Sequence, residues 1–159
     1  MEYYNEIAAG YHELYRDEQL NKLKIIKENI KVMHNTKLLD VGCGIGLSSC
    51  FECFAVGIDT SINLLRRNKN NFKLLGAAEY LPFKDNSFDC VISVTAFHNF
   101  NNIKKSINEI KRVGKRSFAF SILRKSKKYN RIRSLIDKSF AVKEIVQESK
   151  DTIFFCQKP

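Results

Sequence analysis

The chain lacks any long apolar run. No segment approaches the roughly 18 consecutive apolar residues that a membrane-spanning helix requires, and residues 1–4 do not begin the charged and then apolar pattern of an export signal. The five cysteines are an odd number, which without an export signal favours reduced thiols over disulfide bonds. We therefore expect a cytoplasmic protein with no membrane partner.

Groups that could bind a metal are also scarce. Cys50 and Cys53 have the spacing of a zinc or redox pair, but no second pair follows, and His34 and His98 lie far away in the sequence. Two thiols on the core side, acting as small apolar side chains, are the simpler interpretation. The sequence predicts no metal site.

Repeats, linkers and low-complexity tracts are missing as well. With 159 residues, 44% hydrophobic and 28% charged, the composition fits one soluble globular domain with one core. We expect a single domain over residues 1–159. Within it we expect an N-terminal helical lid or cap, residues 1–33, and an α/β core, residues 34–159.

Positive charge is concentrated in one segment. The chain carries 27 Lys and Arg against 17 Asp and Glu, and residues 104–133 contain 12 of the basic residues but only one acid, Glu109. This asymmetry indicates an anionic partner such as RNA. A lysine-rich solvated surface explains it too.

Strand and helix patterns alternate along the chain. The β-branched run at 88–95 is typical of a buried strand, and Ile103, Ile107 and Ile110 share one face of a helix. The alternation predicts an α/β fold, a doubly wound, mostly parallel seven-stranded sheet with an antiparallel last strand. The predicted strands are 38–41, 54–58, 72–75, 88–95, 117–123, 140–147 and 151–157; the predicted helices are 3–15, interrupted at Gly10, 17–32, a short one from Leu47, 61–68, 103–113 and 127–138.

A glycine-rich turn follows the first predicted strand. Gly42, Gly44 and Gly46 alternate after Asp40, and a second strand ends in Asp59. Glycines let a ligand approach the main chain closely, and the N–H groups of a following helix would face that ligand. A glycine loop followed by an acid at the tip of the next strand predicts a nucleotide site.

Two kinds of nucleotide fit this loop poorly. The dinucleotide fingerprint Gly-x-Gly-x-x-Gly fails in both frames, since Leu47 and Ser49 occupy the sixth positions, and a phosphate loop would need a lysine that is missing. A nicotinamide oxidoreductase is therefore disfavoured. The spacing Asp40-x-Gly42-x-Gly44-x-Gly46 resembles motif I of class I S-adenosylmethionine-dependent methyltransferases.

Further segments resemble the ubiquinone/menaquinone-methyltransferase-like branch of that family, in its small archaeal type. Residues 3–11 look like its tyrosine-bearing N-terminal segment, and 76–83 with 85–89 like its adenine loop and the start of its fourth strand. Residues 97–100 and 108–113 are similar to its histidine segment and its next helix. The resemblance covers about residues 3–123 and implies S-adenosylmethionine as the cofactor.

The resemblance implies where the methionine end of the cofactor would lie. It would rest on the turn formed by Gly42, Gly44 and Gly46, with its carboxylate near main-chain N–H groups. Asp40 would orient the loop or accept from the cofactor's amine. Tyr11, with Tyr4 behind it, would close as a lid that excludes water, although ordinary packing explains both tyrosines too.

The adenosine end would contact a second group of residues. Asp59 offers two carboxylate oxygens to the ribose hydroxyls, Thr60 and Ala78-Glu79 would border the adenine, and Ser93 would form the back of the site. The family's loop usually has an acid where Ala77 stands, so adenine recognition would be weaker or would use a backbone contact.

The sequence does not identify the reaction's acceptor. We expect methyl transfer by in-line displacement to an unidentified small molecule, RNA or protein. His98 is the candidate for a catalytic base, and packing under the cofactor explains it equally well. The alternative is a catalytically altered subunit of the same fold that binds RNA or a protein through residues 104–133.

Two kinds of partner follow from this interpretation. Arg124, Lys125, Lys127 and Lys128 come after the fifth strand, on the ligand side of the sheet, where they could steer an anionic substrate such as RNA. The resemblance also allows a small activator protein.

Overall fold

The computed structural model describes the backbone of residues 2–159 and the side chains of residues 13–159. Seven strands form one sheet, and four α-helices and two short 3-10 turns connect them. The strands are β1 Lys37–Val41, β2 Phe54–Asp59, β3 Lys73–Leu75, β4 Phe88–Val94, β5 Gly114–Leu123, β6 Ala141–Gln147 and β7 Asp151–Gln157. The helices are α1 Glu2–Asn29, α2 Ile62–Arg67, α3 Ile103–Val113 and α4 Tyr129–Ser139, and the 3-10 turns are Leu47–Cys50 and Phe97–Asn99.

The sheet has the predicted topology. Its strand order is β3-β2-β1-β4-β5-β7-β6. Strands β1 to β5 pair in parallel, and β7 pairs antiparallel with both β5 and β6. The predicted fold class is therefore confirmed. The order changes direction between β1 and β4, and ligands of such sheets bind beyond the carboxyl ends of the strands at this point.

The sheet is covered on both faces. One apolar cluster includes Phe97, Phe118 and Phe120 with the inner faces of α3 and α4. The other places Leu23 and Ile26 of α1 against apolar side chains of β1, β4, β5 and β7. Burial on both faces explains why the central parallel strands have nearly continuous apolar sequences.

The N-terminal region differs from the prediction. Two helices are predicted, 3–15 with an interruption at Gly10 and 17–32, whereas α1 is one helix from Glu2 to Asn29. A single glycine costs a helix only about 1 kcal/mol relative to alanine, so it need not end one. Within the described residues no helix is both long enough and apolar enough to cross a membrane.

Other boundaries agree to within two or three residues. Helix α3 begins and ends where predicted, and β5 begins three residues early, at Gly114, directly after that helix. A side chain at Gly114 would lie 2.4 Å from the ring of Phe118, so glycine lets the chain pass from helix into strand here.

Candidate functional site

Two adjoining cavities lie where β1, β2 and β4 end. The larger has a volume of about 540 Å³ and extends between α1, the glycine loop and α2. The smaller, about 460 Å³, extends over the ends of β2 and β4. Both are in the size range of small-molecule sites. The cavities share five lining residues: Tyr15, Gly42, Gly44, Leu64 and Val94.

Glycine is required at the three positions of the loop for different reasons. All have a positive φ, of 79° at Gly42, 52° at Gly44 and 82° at Gly46, which other residues adopt only with strain. Gly42 and Gly44 line both cavities, so a ligand can reach their main chain. Gly46 lines neither, and a Cβ there would lie 2.1 Å from Oδ1 of Asn68. Packing against Asn68 therefore requires a glycine at position 46.

Side chains from α2 and the tip of β2 hold this loop. Asp59 accepts hydrogen bonds from the backbone N–H groups of Gly44 and Ser61, each at 2.8 Å. Asn68, which is 2% exposed, donates through Nδ2 to the carbonyl of Gly44 at 3.0 Å. Sequence reasoning missed Asn68, whose only local signal is its position as the last residue of the predicted helix 61–68; in the structure it is the residue directly after α2. Asp59, the predicted ribose-binding acid at the tip of β2, therefore also fixes the conformation of the glycine loop.

The short helix expected from Leu47 behind the loop is of the 3-10 type. The segment after Gly46 is a four-residue 3-10 turn, Leu47–Cys50, because residues 42–53 are barely enough for a crossover between parallel strands. A full helix would offer free N–H groups and a positive dipole end to an anion. The start at Leu47 agrees with the prediction, whereas one 3-10 turn takes the place of the expected α-helical N-terminus.

Asp40 is a buried acid on the wall of the larger cavity. Its side chain is 5% exposed and hydrogen-bonded to Ser48. Burial raises the pKa of Asp40 from 3.8 to about 6, and the nearby charge of Asp59 adds to the shift. Such a carboxylate is poised to receive a cationic group, whose charge would offset the cost of burial.

The raised pKa predicts a pH-dependent stability. Between about pH 4 and pH 6 the folded protein binds more protons at Asp40 than the unfolded chain does, so the free energy of unfolding falls as pH rises through this range. Asp40→Asn removes this cost. We expect the variant to be about 2–3 kcal/mol more stable at about pH 7 and nearly unchanged at about pH 4, by urea unfolding. An equal effect at both pH values would contradict the assignment.

The smaller cavity contains most of the residues expected at the adenosine end. Asp59, Thr60, Ala78 and Glu79 all line it. Thr60 is exposed, whereas Glu79 is buried and accepts from the backbone N–H of Asn102 at 2.9 Å. Glu79 therefore also ties this wall to the start of α3.

Ser93 lies behind the cavities. It is fully buried, donates to the carbonyl of Val41 at 2.8 Å and lines neither cavity. Its neighbours Val94 and Thr95 form the wall instead. In this structure Ser93 supports the site by joining β4 to the end of β1.

A buried ion pair that the sequence analysis missed lies beside the smaller cavity. Nζ of Lys22 is 3.2 Å from Oδ1 of Asp151, and the two side chains are 2% and 0% exposed. Thr95 donates to Asp151 at 2.7 Å and accepts from Lys22 at 3.1 Å, and Ser121 also donates to Asp151. The only sequence signal for a buried Lys22 was that it shares a helix face with the apolar residues Leu23 and Ile26.

Thr95 has a strained backbone. Its φ is 53°, which is costly for a β-branched residue, of order 1–3 kcal/mol. The hydrogen bonds of its hydroxyl to Lys22 and Asp151 hold it in place, and it lines the smaller cavity.

His98 lies outside both cavity walls. It is half-buried in the turn Phe97–Asn99, its carbonyl accepts from Nζ of Lys128 at 2.9 Å, and burial lowers the pKa of its ring. The structure does not place it with the other predicted site residues. The side chains of Tyr4 and Tyr11, predicted to form a lid, lie outside the described residues.

The basic residues after β5 are only partly available. Arg124 donates to the backbone carbonyls of Glu148, Ser149 and Asp151 and so holds the turn between β6 and β7. Lys128 is bound to the carbonyl of His98. Lys125 and Lys127 are exposed, without a hydrogen bond or ion pair in the described part of the chain. Two of the four predicted residues remain to steer an anion.

Much of the remaining basic segment is also paired. Arg112 binds Glu109 and Asp85, and Lys115 lies 3.4 Å from Asp89. Nζ of Lys105 lies 3.3 Å from the ring centre of Tyr80. Residues 104–133 therefore do not form one continuous free basic surface.

The cysteine pair differs in part from the prediction. Cys53 packs against the α1-side core, but Cys50 is exposed, because it ends the 3-10 turn on the surface. Among the residues that the structure describes, no group of three or more His, Cys, Asp or Glu side chains could hold a metal.

Known proteins resemble this chain in sequence and in fold. A methyltransferase domain family matches residues 39–120. An uncharacterised protein of Methanocaldococcus jannaschii, MJ1252, is 37% identical in an alignment 117 residues long, which covers 70% of this chain and 46% of that protein. The ubiquinone/menaquinone biosynthesis C-methyltransferase UbiE of Wigglesworthia glossinidia brevipalpis is 32% identical in an alignment 146 residues long, which covers 78% of this chain and 58% of that protein.

A solved structure shows the same fold over nearly the whole chain. A putative methyltransferase, in complex with the Haloferax volcanii Trm112 methyltransferase activator, has a TM-score of 0.77 at 16% identity and covers 96% of this chain and 95% of its own. The chain spans about half the length of the curated relatives it matches. With the matched domain, the strand order and the acid-tipped glycine loop, the chain belongs to the class I S-adenosylmethionine-dependent methyltransferases.

Proposed function

We propose that this protein binds S-adenosylmethionine and transfers its methyl group to an acceptor. The observation that carries the proposal is the clamp between Asp59 and the loop. The carboxylate at the tip of β2 holds Gly44 at the junction of the two cavities. A nucleoside and its substituent can thus be bound by one rigid unit.

The residues present fit the adenosine part of the cofactor. A carboxylate has about four acceptor positions, and Asp59 uses two of them for Gly44 and Ser61, so two remain for the ribose hydroxyls. Thr60, Ala78 and Glu79 would surround the adenine in the smaller cavity.

The methionine part would pass over the main chain of Gly42 and Gly44 into the larger cavity, which Asp40 lines. Asp40 would face the ammonium group. The cofactor, when bound, supplies a sulfonium methyl group open to in-line attack.

The protein's contribution is to position the reactants and exclude water. Helix α1 forms one wall of the larger cavity through Tyr15, Gln19 and Leu23, and these side chains would shield the sulfonium. Holding an acceptor in line with the methyl group lowers the barrier by up to about 7–11 kcal/mol in favourable cases. This arrangement supports the role of residues 1–33 as a cap over the site.

We further propose that a small activator protein binds at the β3 edge of the sheet. Strand β3 pairs only with β2 among the described residues, and its three residues are exposed. Phe54 and Phe72 are also exposed, with ring centres 4.7 Å apart. An open apolar edge favours addition of a strand from another protein. The related fold in complex with the Trm112 activator supports this choice of partner.

Calorimetry with S-adenosylmethionine, S-adenosylhomocysteine and NAD tests the proposed function directly. We expect binding of the first two and none of NAD, because the dinucleotide fingerprint fails. The acceptor would be identified by mass spectrometry of RNA, protein and metabolite pools from cells with and without the gene.

Size-exclusion chromatography of the protein mixed with the Haloferax volcanii Trm112 activator tests the partner. A stable complex would support the proposal, whereas self-association alone would assign the β3 edge to a second copy of the chain. Binding of NAD in place of S-adenosylhomocysteine would refute the proposed function.

A further inference from the structure

The larger cavity has two arginines without partners on opposite sides. Arg16 lies on α1 and Arg67 on α2, and both line this cavity. In the described part of the chain neither guanidinium has a hydrogen bond or an ion pair. Most of the other lining is apolar or glycine. Two positive charges beside the same cavity, neither of them paired with an acid of the described residues, favour an anionic ligand group.

This cavity lies beside the position that a full crossover helix would occupy. Because residues 47–50 form only one 3-10 turn, the cavity lacks the aligned peptide dipoles with which the N-terminus of a full helix stabilises an anion. Gly46, the residue before this 3-10 turn, faces Asn68 and does not line the cavity. An anion bound here therefore needs another source of positive charge.

The charges around the cavity match a zwitterion. Asp40 and Glu13 line it together with Arg16 and Arg67, so it offers acceptors for an ammonium group and donors for a carboxylate. Arginine suits this role because its planar guanidinium binds a carboxylate through two parallel hydrogen bonds.

From these observations we infer that Arg16 and Arg67 bind the carboxylate at the amino-acid end of the cofactor, replacing the helix N-terminus that this chain lacks. The inference rests on the proposed function. It assigns to α1 and α2 a share in cofactor selection, since a nucleoside without the amino-acid end gains nothing from the two arginines.

Two ligands that differ only in this end provide the test. S-adenosylhomocysteine carries the amino-acid group, whereas 5′-methylthioadenosine lacks it. Their dissociation constants would be measured by calorimetry for the wild type, Arg16→Ala, Arg67→Ala and the double variant. Lys24→Ala and Arg66→Ala are matched controls, because both residues are exposed, basic and on the same helices but line neither cavity.

We expect each arginine variant to bind S-adenosylhomocysteine about five- to tenfold more weakly, given that a charged hydrogen bond at an exposed side chain is partly screened. Binding of 5′-methylthioadenosine should change less than about twofold, since no carboxylate is present to lose its partner. Added salt should weaken the binding of S-adenosylhomocysteine and leave the binding of 5′-methylthioadenosine unchanged. The control variants should bind both ligands like the wild type.

Equal weakening of both ligands would overturn the inference, because the arginines would then shape the cavity without binding a carboxylate. Unchanged binding of S-adenosylhomocysteine in the double variant would overturn it as well. If the wild type bound neither ligand, the proposed function would fail first, and this inference with it.

Discussion

Asp59→Ala is expected to weaken S-adenosylmethionine binding by at least about 100-fold, because two charge-assisted hydrogen bonds to the ribose are each worth about 1.5–3 kcal/mol. The structure adds a second reason. The same carboxylate accepts from the N–H groups of Gly44 and Ser61 at 2.8 Å each. Removing it frees the loop as well as the ribose contact, so the ligand must also order the loop on binding.

A matched control separates these effects from general damage. Asp89 also accepts a backbone N–H, that of Lys37 at 3.0 Å, and also lies on a strand, but it is near the start of β4, away from both cavities. Asp89→Ala should leave cofactor binding unchanged in calorimetry. Asp59→Asn, which keeps an acceptor oxygen without the charge, should fall between the wild type and alanine. Wild-type affinity in Asp59→Ala would remove this residue from the site.

Lys22→Met is expected to lower the free energy of unfolding by about 3–5 kcal/mol, since it leaves a buried carboxylate without its countercharge. Asp151 is fully buried and cannot recover water around its charge in the folded state. The hydroxyls of Thr95 and Ser121 remain as donors, but they carry no net charge.

Urea unfolding of three variants would test this expectation. The double variant Lys22→Met/Asp151→Leu should recover most of the loss, because apolar residues of similar volume often replace a buried ion pair at little cost. Lys115→Met is the control: its pair with Asp89 is largely exposed and should contribute less than about 1 kcal/mol. A loss at Lys22 no larger than at Lys115 would contradict the buried pair.

Local features of the sequence predicted most of the fold. Helix α3 was predicted to the residue because Ile103, Ile107 and Ile110 mark one face. The structure adds an N-cap, since the side chain of Asn102 accepts from the backbone N–H of Lys105. Strand β4 was predicted from its β-branched run. Both signals are carried by neighbouring residues and need no knowledge of the rest of the chain.

The prediction failed where distant contacts decide the outcome. Gly10 does not interrupt α1, and the short helix predicted from Leu47 is a single 3-10 turn. Arg124, predicted to face an anionic substrate, instead binds the carbonyls of the turn before β7. In each case the local pattern allowed two structures, and packing or a distant hydrogen bond selected one.

By itself, the sequence determined the sheet and its helices, the glycine loop and the acid at the tip of β2, because periodicity, turn residues and motif spacing are local properties. The tertiary structure decided the rest. It placed Arg16 and Arg67 on the wall of one cavity, bound Asp59 to the main chain of the loop and buried Lys22 against Asp151. Those arrangements join residues far apart in the chain, and their energies depend on burial and distance, which exist only once the chain has folded.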